Sequence, residues 1–135
     1  MAGFTPVCQT LTDAYRLLDL LGRQEAVYIE EVEDKIKTPS LTGYRAIHLD
    51  VSVDCFVEGS KATVPCELQI RTFLQEAWGH FTHTDFYKGI EVPPLVEGLM
   101  RELGGLLYVA DRHAALLLEA LEVERTESAT TEQPA

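Results

Sequence analysis

Ile47-His48-Leu49-Asp50-Val51-Ser52-Val53-Asp54-Cys55 and Ala62-Thr63-Val64-Pro65-Cys66-Glu67-Leu68-Gln69-Ile70-Arg71 are the two stretches on which the fold turns. In both, apolar side chains alternate with polar ones, and period two is the signature of a strand with one face buried. The interruption Glu58-Gly59-Ser60-Lys61 carries turn chemistry, so the two stretches read as a β-hairpin around a four-residue turn. With Val57 closing the turn opposite Ala62, Val53 faces Cys66, Val51 faces Leu68 and Leu49 faces Ile70, apolar against apolar. The same register sets His48 against Arg71, Asp50 against Gln69 and Ser52 against Glu67. One face is core; the other collects polar groups that can act together.

Working outward, residues 11–21 read as a helix. Thr10 and Asp13 form a capping pair, Gly22 supplies the stop, and Ala14, Leu17, Leu18 and Leu21 make the apolar face. A strand is predicted over 26–32, then a loop over 33–43 containing Pro39, Ser40, Thr42 and Gly43. Beyond the hairpin, 72–88 reads as a helix opened by a Thr72/Gln75 capping box. Leu74, Ala77, Trp78 and Phe81 form its apolar stripe, and Glu76, His80, His83 and Tyr87 a second, polar one. Pro93 and Pro94 start a long Leu-rich helix to about Arg125, whose leucines face the core or a partner, with Gly104-Gly105 marking a bend or close packing. The expected architecture is α+β with a mixed sheet, flanking helices and a long C-terminal helical segment.

Composition bounds the function. The chain has 135 residues, 46% of them hydrophobic, which suits one domain. We expect that domain over 1–125 and a disordered acidic tail over 126–135, because 119–135 holds five acids against one base and no apolar anchor follows Arg125. A formal net charge of −11 argues against bare nucleic acid or anionic lipid as partner, since both need basic surface. No apolar run reaches the roughly 18 residues of a membrane span, and the first residues lack a signal-peptide pattern. The chain reads as cytoplasmic. Cys8, Cys55 and Cys66 are odd in number and lack C-x-x-C spacing, so half-buried free thiols are expected.

The polar hairpin face is where chemistry concentrates. Tyr44, His48, Gln69 and Arg71 share its parity, and they are the groups that grip a purine nucleotide: a ring to stack the base, amides to read its edge, cations for phosphates. A solvated sheet face is the bland alternative. His80-x-x-His83 with Glu76 has metal-ligand spacing, but a zinc site needs three supported ligands, so these residues read as a solvated or pocket-lining face.

Several segments carry a resemblance. Asp34-Lys35-Ile36-Lys37-Thr38-Pro39-Ser40-Leu41-Thr42-Gly43-Tyr44-Arg45-Ala46-Ile47-His48 resembles the guanine-nucleotide loop of RelA/SpoT-type alarmone synthetases, usually D-Y-I-x-x-P-K-x-N-G-Y-R-S-L-H. Cys66-Glu67-Leu68-Gln69-Ile70-Arg71-Thr72 resembles their V-E-[VI]-Q-[IL]-R-T strand. Trp78-Gly79, His83 and Tyr87-Lys88 resemble the following W-A-x-x-E-H-x-x-x-Y-K helix, and Ala2-Gly3-Phe4 the end of D-I-A-G-[IF]-R-V. The order and spacings are the family's across about 2–125.

The resemblance implies a nucleotidyltransferase-like sheet and a Mg²⁺-dependent transfer of the β,γ-pyrophosphate of ATP to the 3′-hydroxyl of GTP or GDP. Glu67 matches the glutamate that activates the hydroxyl and neighbours the metal. Tyr44 matches the guanine-stacking tyrosine, His48 and Gln69 match acceptor contacts, and Gly79 the small residue under the base. Lys37, Arg71 and His83 complete the implied guanine-nucleotide set. Ser40 and Thr42 replace a common lysine and asparagine, and His80 and Thr82 replace glutamates. The family's metal-binding aspartate and its basic ATP-gripping segment fall before Met1, so the expectation is an N-terminally truncated domain carrying the acceptor half of the site, with ATP bound only if that segment is present. Two other readings stay open: an inactive guanine-nucleotide module, or an oligomerisation module built on the final helix.

Overall fold

The computed structural model describes residues 2–83 and 90–132. In chain order the elements are β1 (Ala2–Phe4), β2 (Val7–Cys8), α1 (Leu11–Gly22), β3 (Val27–Asp34), β4 (Ile47–Val57), β5 (Ser60–Thr72), α2 (Phe73–Phe81) and α3 (Pro94–Thr131). The sheet runs β1-β5-β4-β3, with β2 beside the end of β5. The two short strands β1 and β2, absent from the sequence prediction, pair parallel with β5, while β3, β4 and β5 are antiparallel. The mixed α+β architecture expected from the sequence is the one observed.

The hairpin forms, but two residues out of the predicted register. Val51 pairs with Cys66, Leu49 with Leu68 and Ile47 with Ile70, because the turn is only Glu58-Gly59. Both turn residues have positive φ, 52° and 79°, the type I′ geometry whose twist matches that of the strands. A four-residue turn is therefore wrong, and so are the polar pairs built on it: His48 faces Gln69, Asp50 faces Glu67, and Ser52 faces Pro65. A slip of two keeps every side chain on its face, so the division into core and polar sides stands.

On the core face Ile47, Leu49, Val51 and Ile70 pack with Ala14 of α1 and with Ile36 from the loop. α1 begins as expected: Thr10 Oγ1 accepts from the Asp13 amide at 3.2 Å. α2 opens with the reciprocal capping box, Thr72 Oγ1 accepting from the Gln75 amide at 3.2 Å and Gln75 Oε1 from the Thr72 amide at 2.9 Å. Its apolar stripe is narrower than expected. Trp78 is buried and donates Nε1–H to the Met100 carbonyl at 3.0 Å, whereas Phe81 is exposed. Of the helix predicted through residue 88, Tyr87 and Lys88 lie outside the described residues.

α3 crosses the loop between β3 and β4. An added Cβ on Gly104 would lie 2.7 Å from the Gly43 carbonyl oxygen, and one on Gly43 3.0 Å from Arg101 Cα, so two glycines let helix and loop backbones touch. Arg101 Nε donates to the Leu41 carbonyl at 2.7 Å, and the Arg45 guanidinium stacks on the Tyr108 ring at 3.9 Å. The helix also runs on to Thr131, beyond the end expected near Arg125. There Thr126, Thr130 and Thr131 hydroxyls bond carbonyls one turn back. Among the described residues no helix is long and apolar enough to cross a membrane. Cys8, Cys55 and Cys66 are free and half-buried.

Candidate functional site

Tyr44 organises the polar face. It leaves the loop just after Gly43, whose φ of 89° turns the chain toward α3, and its amide donates to Ser40 Oγ at 3.2 Å. The Tyr44 hydroxyl donates to Gln69 Oε1 at 3.1 Å and accepts from Arg71 Nε and Nη2 at 3.3 and 3.1 Å. His48 Nε2 lies 2.9 Å from the same oxygen. The phenol has one hydrogen, and with Gln69 taking it, His48 Nε2 must be the donor in that contact. Arg71 Nη2 also donates to Gln69 Oε1 at 2.6 Å, and Nη1 to Glu76 Oε2 at 2.9 Å. The two-period of β4 and β5 thus brings Tyr44, His48, Gln69 and Arg71 into one network.

Electrostatics follow from this packing. Burial raises the Tyr44 hydroxyl's pKa, only partly opposed by the Arg71 hydrogen bond and charge. Burial and then the Lys35 ammonium hold His48 below its ordinary value, which favours the neutral imidazole. Burial works against the Arg71 charge, but hydrogen bonds to Glu76 and Tyr44 outweigh it and keep the guanidinium protonated.

A cavity of about 530 Å³ opens beside the network, walled by Thr42 and Tyr44 from the loop, Arg71 from β5, and Glu76, Gly79 and His83 from α2 and its exit. Ser40 and Thr42, the departures noted in the loop, hold their hydroxyls 3.1 Å from each other. A Cβ on Gly79 would find its nearest neighbour, Arg71 Nη1, at 3.7 Å, so the glycine leaves the cavity floor open. Lys37 is not brought here. It lies over the Tyr15 ring at 5.7 Å, because Asp34 Oδ1 accepts from the Ile36 and Lys37 amides and turns the chain; Lys35 instead stands 5.6 Å from the Tyr44 ring centre.

Glu67 and His48 line a separate cavity of about 130 Å³ with Glu31, Glu33 and Asp50. A bulge between Ile29 and Glu31 creates it: past the extra residue, Glu31 pairs with Asp50 and Glu33 with His48. Glu31, Asp50 and Glu67 therefore form a row across three strands, with Gly3 of β1 beyond. Like charges directly opposite each other oppose sheet pairing. The sequence signal was the Glu30-Glu31 doublet, where the alternation of Val27 and Ile29 changes parity before Val32. Among the described residues no three metal-ligating side chains converge. Glu67 and its cross-strand neighbour Asp50 nevertheless offer the carboxylate oxygens that Mg²⁺ takes together with phosphate oxygens.

The mixed sheet with its flanking helices defines a fold that solved structures share. The small alarmone synthetase 2 from Bacillus subtilis superposes with a TM-score of 0.80 at 26% identity, covering 86% of this chain and 64% of that one. The small alarmone synthetase 1 from Bacillus subtilis, bound to its product pppGpp, has the same fold at TM-score 0.76 and 21% identity, over 87% and 60% of the two chains. The chain belongs to the family defined by the region found in RelA / SpoT proteins, whose model matches residues 1–91. The GTP pyrophosphokinase YwaC of Bacillus subtilis (strain 168) is 29% identical over 112 residues, 82% of this chain. The chain spans about half, 53%, of that relative's length.

Proposed function

We propose that this chain binds a guanine nucleotide in the 530 Å³ cavity as the acceptor for pyrophosphate from ATP, and so serves cytoplasmic (p)ppGpp synthesis. The observation that carries the reading is the network in which Arg71, Gln69 and His48 all bond the Tyr44 hydroxyl, presenting one fixed aromatic ring at the wall of an open cavity. A base stacks on that ring above Gly79, and Arg71 and His83 supply polar contacts at the cavity wall. His48, neutral and half-buried, lies between this cavity and the carboxylate cleft and orients the sugar that bridges them.

In the proposed transfer, Glu67 accepts the proton of the ribose 3′-hydroxyl. The freed oxygen bonds to the β-phosphorus of ATP, the bond from that phosphorus to the α,β-bridging oxygen breaks, and AMP leaves with the electron pair. Glu67 would hold Mg²⁺ together with phosphate oxygens, and the bound ion would neutralise the developing phosphate charge. Parity supports this role: the neighbours Cys66 and Leu68 pack against the core cluster, and the Glu67 side chain emerges on the polar side. A second copy on the exposed side of α3 is the proposed macromolecular partner.

Calorimetric titration with GDP, GTP and ATP tests the reading, and guanine nucleotides should bind more tightly. Equal or tighter ATP binding would overturn it. Thin-layer assay for (p)ppGpp then separates synthetase from inactive binding module. Where product forms, Glu67→Gln should abolish it and leave stability within about 0.5 kcal/mol.

A further inference from the structure

We infer that Glu76 is the residue by which this cavity selects guanine over other bases, a reading that rests on the guanine-nucleotide assignment above. Glu76, Gly79 and His80 stand at i, i+3 and i+4 on one face of α2, and all three border the cavity. The Glu76 carboxylate is fixed from one side only. Oε2 accepts from Arg71 Nη1 at 2.9 Å, while Oε1 makes no hydrogen bond to a described residue and stands 3.6 Å from His80 Nε2. Arg71 Nε and Nη2 donate to the Tyr44 hydroxyl, and Nη2 also to Gln69 Oε1, so one guanidinium links the carboxylate to the hydroxyl of the ring on which the base is stacked. Gly79, with no side chain, leaves the approach between them open.

A carboxylate is an acceptor with no proton to give. Guanine presents two adjacent donors on its pairing edge, N1–H and the 2-amino group, and a carboxylate takes both. Adenine presents the N1 lone pair and a C2–H there, so the same carboxylate meets a lone pair and is left unsatisfied. A site built to accept from a substrate N–H rejects analogues lacking it far more strongly than an apolar pocket rejects a missing methylene. Hydrogen bonds to a charged acceptor are also the stronger kind. Thr42, at the loop position where the family resemblance implies asparagine, also lines the cavity, and its hydroxyl is engaged with Ser40.

The test uses the full chain and four diphosphates, GDP, IDP, XDP and ADP, titrated into wild type and Glu76→Gln. IDP lacks only the 2-amino group, so wild type should bind GDP at least about tenfold more tightly than IDP. In Glu76→Gln that gap should close, and XDP should bind more tightly than it does to wild type. The glutamine carbonyl accepts xanthine N1–H while its amide donates to the 2-oxo group. Equal binding of GDP and IDP by wild type would overturn the inference without any variant, which decides the matter even if Glu76→Gln unfolds. Equal weakening of GDP and IDP in the variant, with no gain for XDP, would show that Glu76 only positions Arg71. Absence of any guanine-nucleotide binding by wild type would instead remove the acceptor reading itself, and this inference with it.

Discussion

Tyr44 and Asp111 show how differently two polar side chains can be tied into one fold. The Tyr44 ring borders open space while its hydroxyl takes part in four contacts, so the residue is costly to the site and cheap to the core. Tyr44→Ala should weaken guanine-nucleotide binding by about 1–3 kcal/mol, the usual loss on removing an aromatic from under a base, with the circular dichroism spectrum retained. Unchanged affinity in a folded variant would remove the stacking role. Asp111, on α3, is the opposite case: it is 1% exposed, Oδ2 accepts from Thr72 Oγ1 at 2.6 Å, and Oδ1 has no hydrogen-bond partner among the described residues. Burial raises its pKa above the ordinary carboxylate range, against the lowering effect of the Thr72 bond. The fold therefore favours the neutral form. Its contribution to stability is complete below the ordinary carboxylate range and is lost as pH rises through the raised value. Asp111→Asn keeps the acceptor for Thr72 without the charge, so its melting temperature relative to wild type should climb over the pH range from the ordinary carboxylate value upward. A constant difference across that range would disprove the argument.

At the scale of elements, the glycine pair in α3 separates two effects that look alike in sequence. Both glycines weaken a helix, by roughly 1 kcal/mol each relative to alanine. Gly105 has nothing within 4 Å of an added Cβ, so Gly105→Ala should stabilise by about that amount. Gly104 has the Gly43 backbone at 2.7 Å, and neither partner is a flexible side-chain end. Gly104→Ala should destabilise by about 1–3 kcal/mol, the range for overpacking, and should also weaken nucleotide binding, because it displaces the loop that carries Tyr44. Urea denaturation of the two variants checks the sign of each; equal effects would mean the helix–loop contact is not tight. The hairpin was legible for a physical reason: alternation reports face, and face survives a slip of two. Its register was not, because Glu58 is an unusual residue for a left-handed turn position and the Asn-Gly or Asp-Gly signal is missing.

Across the whole molecule, α3 is apolar on two sides. Met100 and Gly104 are buried against the domain, as is Asp111, while Leu95, Leu99, Leu106, Val109 and Leu117 lie along the opposite face and are all more than half exposed. A helix apolar all round is normally covered all round, and a continuous exposed stripe of this kind marks an interaction surface. Size-exclusion chromatography with light scattering should give a mass above the 15.1 kDa of one chain. Leu106→Glu combined with Leu117→Glu should return it to that value with secondary structure intact. A monomeric wild type would rule out self-association through this face.

Period-two alternation, capping pairs and the Tyr44-to-His48 and Glu67-to-Arg71 motifs are local properties, and the sequence alone was enough to determine the three long strands, their faces, the helix starts and the family resemblance. Those features depend on residues within a few positions of one another. Three others were decided only by the tertiary structure. Lys35 rather than Lys37 stands by Tyr44, because the Asp34 turn chooses between them. The bulge in β3 sets Glu31 opposite Asp50 and gathers the carboxylate row. Closest of all to function, α3 reaches back some sixty residues to hold the loop through Arg101 and Leu41, Gly104 and Gly43, and Tyr108 and Arg45. No local pattern encodes such contacts, because their free energy comes from surfaces that meet only once the sheet has formed and the long helix lies across it.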